Sequence, residues 1–182
     1  MLAHISPRPY VDVLKHFASD NWEEAGFAGD VQQRIDKGLG KRVFALRGRT
    51  PSTNCLSVPR IGRPPLGLTS KYLYFEVRLT AGRPFLLHVD VLTTQRSVVR
   101  LSLSDRFKET KRCGTVIQLP CPELAGAAGR WTVLGFDLAA LLWVHEGNSS
   151  GDFDSLRGFV ACSRCSIARC PVFPVSNAFS TP

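Results

Sequence analysis

The clearest pattern in this chain is an alternation of apolar and polar residues that runs through positions 71–104. Three alternating runs are separated by short breaks at 81–84 and 93–96, which predicts three consecutive antiparallel strands joined by hairpin turns. The inward positions are predicted to be Leu73, Phe75, Val77, Leu79, Phe85, Leu87, Val89, Val91, Val99, Leu101 and Leu103. The opposite positions are predicted to form a solvent-exposed polar face, which includes Tyr72, Tyr74, Arg100, Ser102 and Ser104.

Weaker alternation predicts further strands on both sides of this stretch, at 31–36, 42–49, 54–58, 115–119, 130–136, 155–163 and 165–173. The last two are expected to pair as a hairpin. At 137–145 the period becomes helical: Asp137 suits an N-cap, and the apolar stripe is Leu138, Leu141, Leu142 and Val144. Many strands and one short helix predict an all-β protein built as a two-layer antiparallel β-sandwich.

The ends of the chain differ in character from its middle. Residues 1–28 are interpreted as an N-terminal arm that packs aromatic side chains on the sheet and is anchored by Trp22. Residues 29–174 form the predicted sandwich, and residues 175–182 are interpreted as a frayed tail or the start of a linker. Trp131 is assigned to the core and Trp143 to the packing face of the helix.

The composition fits one globular domain with an acidic partner. The 182 residues are 44% hydrophobic and 21% charged, so a core can form without disulfides. No apolar run approaches the roughly 20 residues of a membrane span, and the N-terminus lacks a signal-peptide pattern, so we expect an intracellular protein. The net charge of +8 favours an acidic partner. Without an RNA-binding signature, zinc-finger spacing or a polybasic helix, we expect neither nucleic acid nor a membrane to be that partner.

Basic residues follow the third predicted strand closely and make the leading candidate surface. This series is Arg96, Arg100, Arg106, Lys108, Lys111 and Arg112, interrupted only by Asp105 and Glu109. Loops that follow a rigid sheet often carry binding residues. A second basic cluster contains Arg47 and Arg49, and a third contains Arg60 and Arg63 in a proline-rich loop.

Cysteine and histidine positions do not predict a metal or catalytic site. Six cysteines in an intracellular protein are expected to be buried or half-buried thiols. Cys162 and Cys165, with Cys170, lack the second pair that a zinc site needs. His88 and Asp90 are expected near Glu76 across a hairpin, yet surface charge pairing is far commoner than catalysis in such a setting. We therefore predict no enzyme activity, no cofactor and no metal.

Tyr72 and Tyr74 are two residues apart and are predicted to lie side by side on the polar face. Sugar-binding modules place aromatic platforms in this way, so a glycan-binding module is an alternative function. A general protein-interaction scaffold is a further alternative.

Several motifs follow one another in an order that resembles a known family. They span residues 29–173 and read GDVQQRIDK, VFALRG, STNCLSVP, PLGLTSKYLYFEVR, VVRLSLSDRFKETKR, RWTVLGFDLAALL and FVACSRCSIARCPVF. Their order is nearly collinear with the cilia- and flagella-associated protein twenty family, also called domain of unknown function 667. The segment PYVDVLKHF followed by DNW is similar to the start of centriolar WD-repeat proteins that carry this domain.

The resemblance implies a sandwich of jelly-roll type that binds α/β-tubulin in microtubule doublets or triplets and meets other inner-junction proteins. It implies a cytoskeletal location, in the centriole or basal body or in the axoneme of a cilium. Microtubule surfaces are acidic, so a charge of +8 is compatible with this function. The expected microtubule-binding residues are Arg96, Arg100, Arg106, Lys108, Lys111 and Arg112, followed by Arg47 and Arg49.

Overall fold

The computed structural model describes residues 10–19, 22–48, 50–146, 151–163 and 165–173. Its strands are β1 (Val11–Asp12), β2 (Gly26–Ala28), β3 (Val31–Asp36), β4 (Lys41–Leu46), β5 (Cys55–Val58), β6 (Tyr72–Leu79), β7 (Phe85–Thr93), β8 (Val98–Ser104), β9 (Lys111–Cys113), β10 (Val116–Pro120), β11 (Trp131–Asp137), β12 (Phe153–Ser163), β13 (Cys165–Arg169) and β14 (Pro171–Phe173). Its helices are α1 (Val13–Ser19), α2 (Glu123–Gly126) and α3 (Leu138–Glu146).

The strands form two sheets packed face to face. Sheet A has the order β1-β14-β6-β13-β4-β3, with β11 also paired to β6, and sheet B has the order β2-β5-β12-β7-β8-β10-β9. Among the described residues, every strand pair is antiparallel except β8 and β10, which run parallel. The predicted antiparallel β-sandwich is therefore confirmed.

Burial alternates along β6 and β7 because successive side chains of a strand point to opposite faces. All the predicted inward positions of β6, β7 and β8 are buried. Phe75 of β6 and Phe159 of β12 are 0% and 1% exposed, and their rings meet edge to face with centroids 4.9 Å apart. This pair joins the two sheets across the core.

Two predicted hairpins are wrong. The turn at 81–84 carries the chain from β6 in sheet A to β7 in sheet B, so these strands do not pair. In the same way β12 lies in sheet B and β13 in sheet A. Alternation identifies the buried face of a strand, but a short turn connects two sheets as readily as two neighbours in one sheet. Only the expected pairing of β7 with β8 is observed in the central stretch.

Two outward positions of β8 are buried instead of solvent-exposed. Ser102 and Ser104 are 2% and 3% exposed. The Ser102 hydroxyl lies 2.8 Å from Nδ1 of His88, and the Ser104 hydroxyl donates to the Phe85 carbonyl at 2.6 Å. Both hydroxyls are thus satisfied within the protein, which is the usual condition for burying a polar group.

The N-terminal segment contributes to both sheets. β1 pairs with β14 in sheet A, and β2 pairs with β5 in sheet B. Between them, α1 places Val13, Leu14 and Phe17 in the core. The expected anchoring by Trp22 concerns a side chain outside the described ones, and the predicted tail at 175–182 also lies outside the described residues.

The helix that follows β11 begins as predicted. Oδ1 of Asp137 accepts a hydrogen bond from the Ala140 amide at 3.0 Å, which caps α3. The assignments of Trp143 and Val144 to the packing face are wrong, since these side chains are 61% and 70% exposed. The core assignment of Trp131 is also wrong.

Trp131 lies outside the core because it covers a charged side chain. Its ring centroid is 4.9 Å from the guanidinium carbon of Arg78, its partner in register on β6.

None of the helices in the described chain is long and apolar enough to cross a membrane.

Candidate binding surface

The outer face of sheet B is the face that points away from sheet A. Strand register places its side chains in rows that cross β12, β7, β8, β10 and β9. One row is Val160, His88, Ser102, Gln118 and Lys111. The next row is Gly158, Asp90, Arg100, Val116 and Cys113. Residues far apart in sequence therefore share one surface.

A groove of about 850 Å³ occupies one half of this outer face. The loop at 59–65 lines one side, and side chains of β5, β12, β7 and β8 line the rest. Leu86 and Val160 supply apolar surface, while His88, Asp90 and Arg100 supply polar groups. The groove thus combines an apolar base with hydrogen-bonding groups, as binding sites commonly do.

Asp90 and Arg100 form a bidentate ion pair in the groove. Nε of Arg100 donates to Oδ1 of Asp90 at 2.6 Å, and Nη2 donates to Oδ2 at 2.8 Å. This hydrogen bonding raises the pKa of Arg100, against the opposing effect of burial. Burial, together with the charge of Arg100, lowers the pKa of His88, although Asp90 acts in the opposite direction. His88 is therefore neutral at pH 7 and Arg100 is charged but paired.

The basic residues after β8 gather at the β9 edge of sheet B. Arg106, Lys108, Lys111 and Arg112 are all exposed there. Oδ1 of Asp105 accepts a hydrogen bond from the Phe85 amide at 2.9 Å, and the Asp105 side chain is 11% exposed. Oδ2 of Asp105 also lies 3.9 Å from Nε of Arg106, so Asp105 offsets part of the charge of Arg106, and the positive charge of the edge comes mainly from Lys108, Lys111 and Arg112. We call Arg106, Lys108, Lys111 and Arg112 the basic edge.

Other members of the predicted site lie elsewhere. Arg96 sits at the tip of the β7–β8 turn with φ of 63°. That turn is at the opposite end of β8 from Arg106, roughly 20 Å away for a strand of this length. Arg47 follows β4 in sheet A, where its amide donates to the Asp30 carbonyl. Arg49 lies outside the described residues, so the second basic cluster that it was predicted to form with Arg47 remains a prediction.

Three arginines line the groove at its other side. Arg60 and Arg63 are exposed in the loop at 59–65, and Arg157 lies at an irregularity of β12 between Leu156 and Gly158. The sequence identified the first two only as a minor cluster and missed Arg157. The sequence feature that could have identified Arg157 is the glycine that follows it, Gly158, because a glycine within a strand pattern often marks a bulge.

The expected meeting of His88 and Asp90 with Glu76 does not occur. Glu76 lies on β6 in sheet A, where it pairs with Lys41 and Arg169 at 3.7 and 3.8 Å. Cys162 and Cys165 also lie on different sheets. Within the described chain, no three potential metal ligands come together.

Most of the thiols are covered, as expected, but Cys113 is exposed at the end of β9, so the prediction of burial is wrong for that residue. Burial, with the neighbouring Cys55 acting in the same direction, raises the pKa of Cys162 to about 12. Burial likewise raises the pKa of Cys165 to about 12. These two thiols therefore stay protonated at neutral pH, which makes them poor nucleophiles.

Tyr72 and Tyr74 take part in packing on sheet A. The Tyr74 ring meets Phe173 with centroids 5.1 Å apart, and Phe173 also contacts Tyr10 at 5.2 Å. The amine of Lys71 lies 5.1 Å from the centroid of the Tyr72 ring. Both rings are only partly exposed because of these contacts, and the glycan-binding alternative stays a prediction.

Comparison with known proteins identifies relatives of the whole chain. The model of the CFA20 domain matches residues 1–181. Centriole proteome protein 16 of Chlamydomonas reinhardtii is 36% identical over 157 residues, covering 85% of this chain and 7% of that protein. WD repeat-containing protein 90 of Homo sapiens is 33% identical over 167 residues, covering 86% of this chain and 10% of that protein. The chain thus spans about a tenth or less of the length of these relatives.

Among solved structures, the chain is similar to the CBM22-1-GH10 modules of Clostridium thermocellum endo-1,4-beta-D-xylanase 10B, complexed with xylohexaose. The sequence identity is 10% and the TM-score is 0.43, with 88% of this chain and 28% of that chain covered.

The match to the CFA20 domain spans nearly the whole sequence and confirms the resemblance found in the sequence motifs. The chain therefore belongs to the CFA20 domain family.

Proposed function

We propose that this chain is a microtubule-binding module of a centriolar or axonemal protein and that it attaches to tubulin through the basic edge. The relatives include proteins named for the centriole proteome and for WD repeats, which supports an association with the centriole or cilium. The module acts by binding and includes no catalytic step. Other inner-junction proteins would be its further partners.

The observation that carries the proposal is a group of exposed basic side chains at the basic edge that form no ion pair with another described residue. Sheet B does hold two ion pairs, Arg100–Asp90 and Arg106–Asp105, but Lys108 and Lys111 take part in neither. Four basic residues on and beside sheet A are paired with acidic side chains; the pairs are Lys41–Glu76, Lys71–Asp137, Arg78–Asp36 and Arg169–Glu76. On sheet B, Lys108 and Lys111 are exposed and form no ion pair with another described residue. An acidic lattice therefore gains from meeting the β9 edge, since long-range attraction depends on unpaired charge.

Reversal of two charges at the basic edge tests this proposal. Lys108→Glu combined with Lys111→Glu should weaken microtubule binding about tenfold or more at low salt, because attraction becomes repulsion. Arg112 is left unchanged because its Nε donates to the Gly114 carbonyl in the turn after β9. The measurement is co-sedimentation with taxol-stabilised microtubules across a salt series.

A matched control changes the same charge elsewhere. Arg34→Glu with Lys37→Glu alters two exposed residues at the β3 edge of sheet A. This double variant should bind within about twofold of the unmodified protein if binding is local to the basic edge. Equal losses in both variants, or unchanged binding after reversal of Lys108 and Lys111, would refute attachment through the basic edge.

A further inference from the structure

The groove on the outer face of sheet B carries an unbalanced positive charge. Its lining includes Arg60, Arg63, Arg100 and Arg157, but Asp90 is the sole acidic residue among the described groove residues. Asp90 is committed to Arg100 through two hydrogen bonds. The groove therefore holds three basic side chains in excess, all contributed by the loop at 59–65 and by the irregularity of β12.

These three arginines are available to a ligand. Arg60 and Arg63 are exposed, and neither they nor Arg157 form an ion pair with another described residue. Glu23 lines the recess on the other side of the same loop without pairing to them. A guanidinium group matches a carboxylate through two parallel hydrogen bonds, which favours carboxylate ligands at such positions.

The apolar parts of the groove indicate what kind of carboxylate ligand fits. Ile61 is 90% exposed beside Arg60, and Leu86 and Val160 line the base. These side chains suit the methylene stems of glutamate residues. Phe159 contributes backbone to the lining, but its side chain is 1% exposed and points into the core. Apart from the imidazole of His88, no aromatic ring of a described residue lines the groove, and this lack of a Phe, Tyr or Trp platform disfavours single-stranded nucleic acid.

We infer that this groove is a binding site for an extended, glutamate-rich peptide segment. The carboxylates pair with Arg60, Arg63 and Arg157, and the stems pack on Ile61, Leu86 and Val160. The Asp90–Arg100 pair keeps the base of the groove close to neutral and fixes its shape. This site lies towards the opposite side of sheet B from the basic edge, so we expect it to act separately from microtubule attachment.

The test uses an oligoglutamate peptide of about ten residues, roughly 33 Å when extended. Its fluorescein-labelled form is titrated with the whole chain in an anisotropy assay, and a glutamine peptide of equal length is the neutral probe. We expect saturable binding of the glutamate peptide that weakens as salt is raised, because the contacts are ionic. The glutamine peptide should bind at least about tenfold more weakly.

Charge reversal in the exposed loop locates the site. Arg60→Glu with Arg63→Glu should lower affinity for the glutamate peptide about tenfold or more, whereas Arg34→Glu with Lys37→Glu should leave it within about twofold. Circular dichroism of each variant verifies folding. Amide chemical shifts of the unmodified protein give a second readout that needs no variant, and Leu86, His88 and Val160 should move on titration.

Three results would overturn the inference. They are absence of binding, equal weakening in both double variants, and shift changes confined to residues outside the groove. Because the assay contains no tubulin, its failure is distinct from a failure of microtubule co-sedimentation. Retained peptide binding after reversal of Lys108 and Lys111 would show that the two surfaces work separately.

Discussion

Arg100 on β8 lies opposite Asp90 on β7, and the two side chains form an ion pair. Two hydrogen bonds of 2.6 and 2.8 Å satisfy both carboxylate oxygens. A guanidinium held in this way offers little net charge to a partner. Arg100 therefore differs from Lys108 and Lys111, although all three belong to the basic series predicted for tubulin contact, and its clearest effect is on the neighbouring His88.

His88 should make stability depend on pH. Its pKa in the folded protein is below the ordinary 6.5, because burial and Arg100 disfavour the charged imidazole. As pH falls below about 6.5, the unfolded chain binds this proton more readily, so the free energy of unfolding decreases until the folded pKa is passed. His88→Gln should remove this contribution. Urea unfolding at pH 7.5 and 5.5 measures it, and an unchanged pH dependence in the variant would contradict the assignment.

At the scale of the element, β12 decides the form of the groove. It pairs with β5 on one side and β7 on the other, with register shifts between Phe153 and Ser155 and between Leu156 and Gly158. The second shift leaves Arg157 outside the regular ladder and brings it to the groove. Gly158 allows the loop at 59–65 to approach, since a Cβ atom there would lie 2.8 Å from Cδ of Pro59.

A methyl group at Gly158 should therefore be costly. Gly158→Ala is expected to lower the free energy of unfolding by about 1–3 kcal/mol, because backbone atoms of β5 and the loop must move. Gly126→Ala is the control: no atom lies within 4 Å of a Cβ at this helical position, so a change within about 0.5 kcal/mol is expected. Chemical denaturation measures both variants. Equal stabilities would show that the loop yields without cost.

At the scale of the whole molecule, one core holds both sheets and the N-terminal segment together. Phe75 and Phe159 meet across it, and α1 adds Leu14 and Phe17 from the start of the chain. The outer face of sheet B then carries exposed basic residues at both of its sides, Arg60 and Arg63 beside the groove and Lys108 and Lys111 at the basic edge. These exposed charges underlie both proposed binding surfaces.

The contact between the sheets should dominate stability. Phe159→Ala removes a ring that is 1% exposed and should lower the free energy of unfolding by about 3–5 kcal/mol. Val133→Ala, at a side chain that is 64% exposed, should change it by no more than about 0.5 kcal/mol. Thermal and urea unfolding compare the two. A small effect of Phe159→Ala would mean that the core tolerates the cavity.

Side-chain alternation was sufficient to predict β6 to within about a residue at each end, because burial on one face imposes a period of two. The strand predicted at 31–36 matches β3. The sequence pattern did not predict that Trp143 is exposed. In a short and largely apolar helix, the pattern does not indicate which face is covered by the rest of the protein. The same limit applies to β9, an edge strand of three residues that falls in the stretch predicted to be a loop after the third central strand. Short helices and strands are determined mainly by their contacts with neighbouring elements and not by their own sequence pattern.

The sequence by itself determined the β-sandwich class, the buried face of the central strands, the family and the positive charge. These follow from local periodicity, motif order and composition, which need no knowledge of distant contacts. Only the tertiary structure decided that β6 and β7 separate into different sheets and that β8 and β10 run parallel. It also brought Arg60, Arg100 and Arg157 to one groove. The pairing of strands depends on packing across the whole core. A single stretch of sequence contains no information about the residues on the other side of that core, so it cannot predict the pairing.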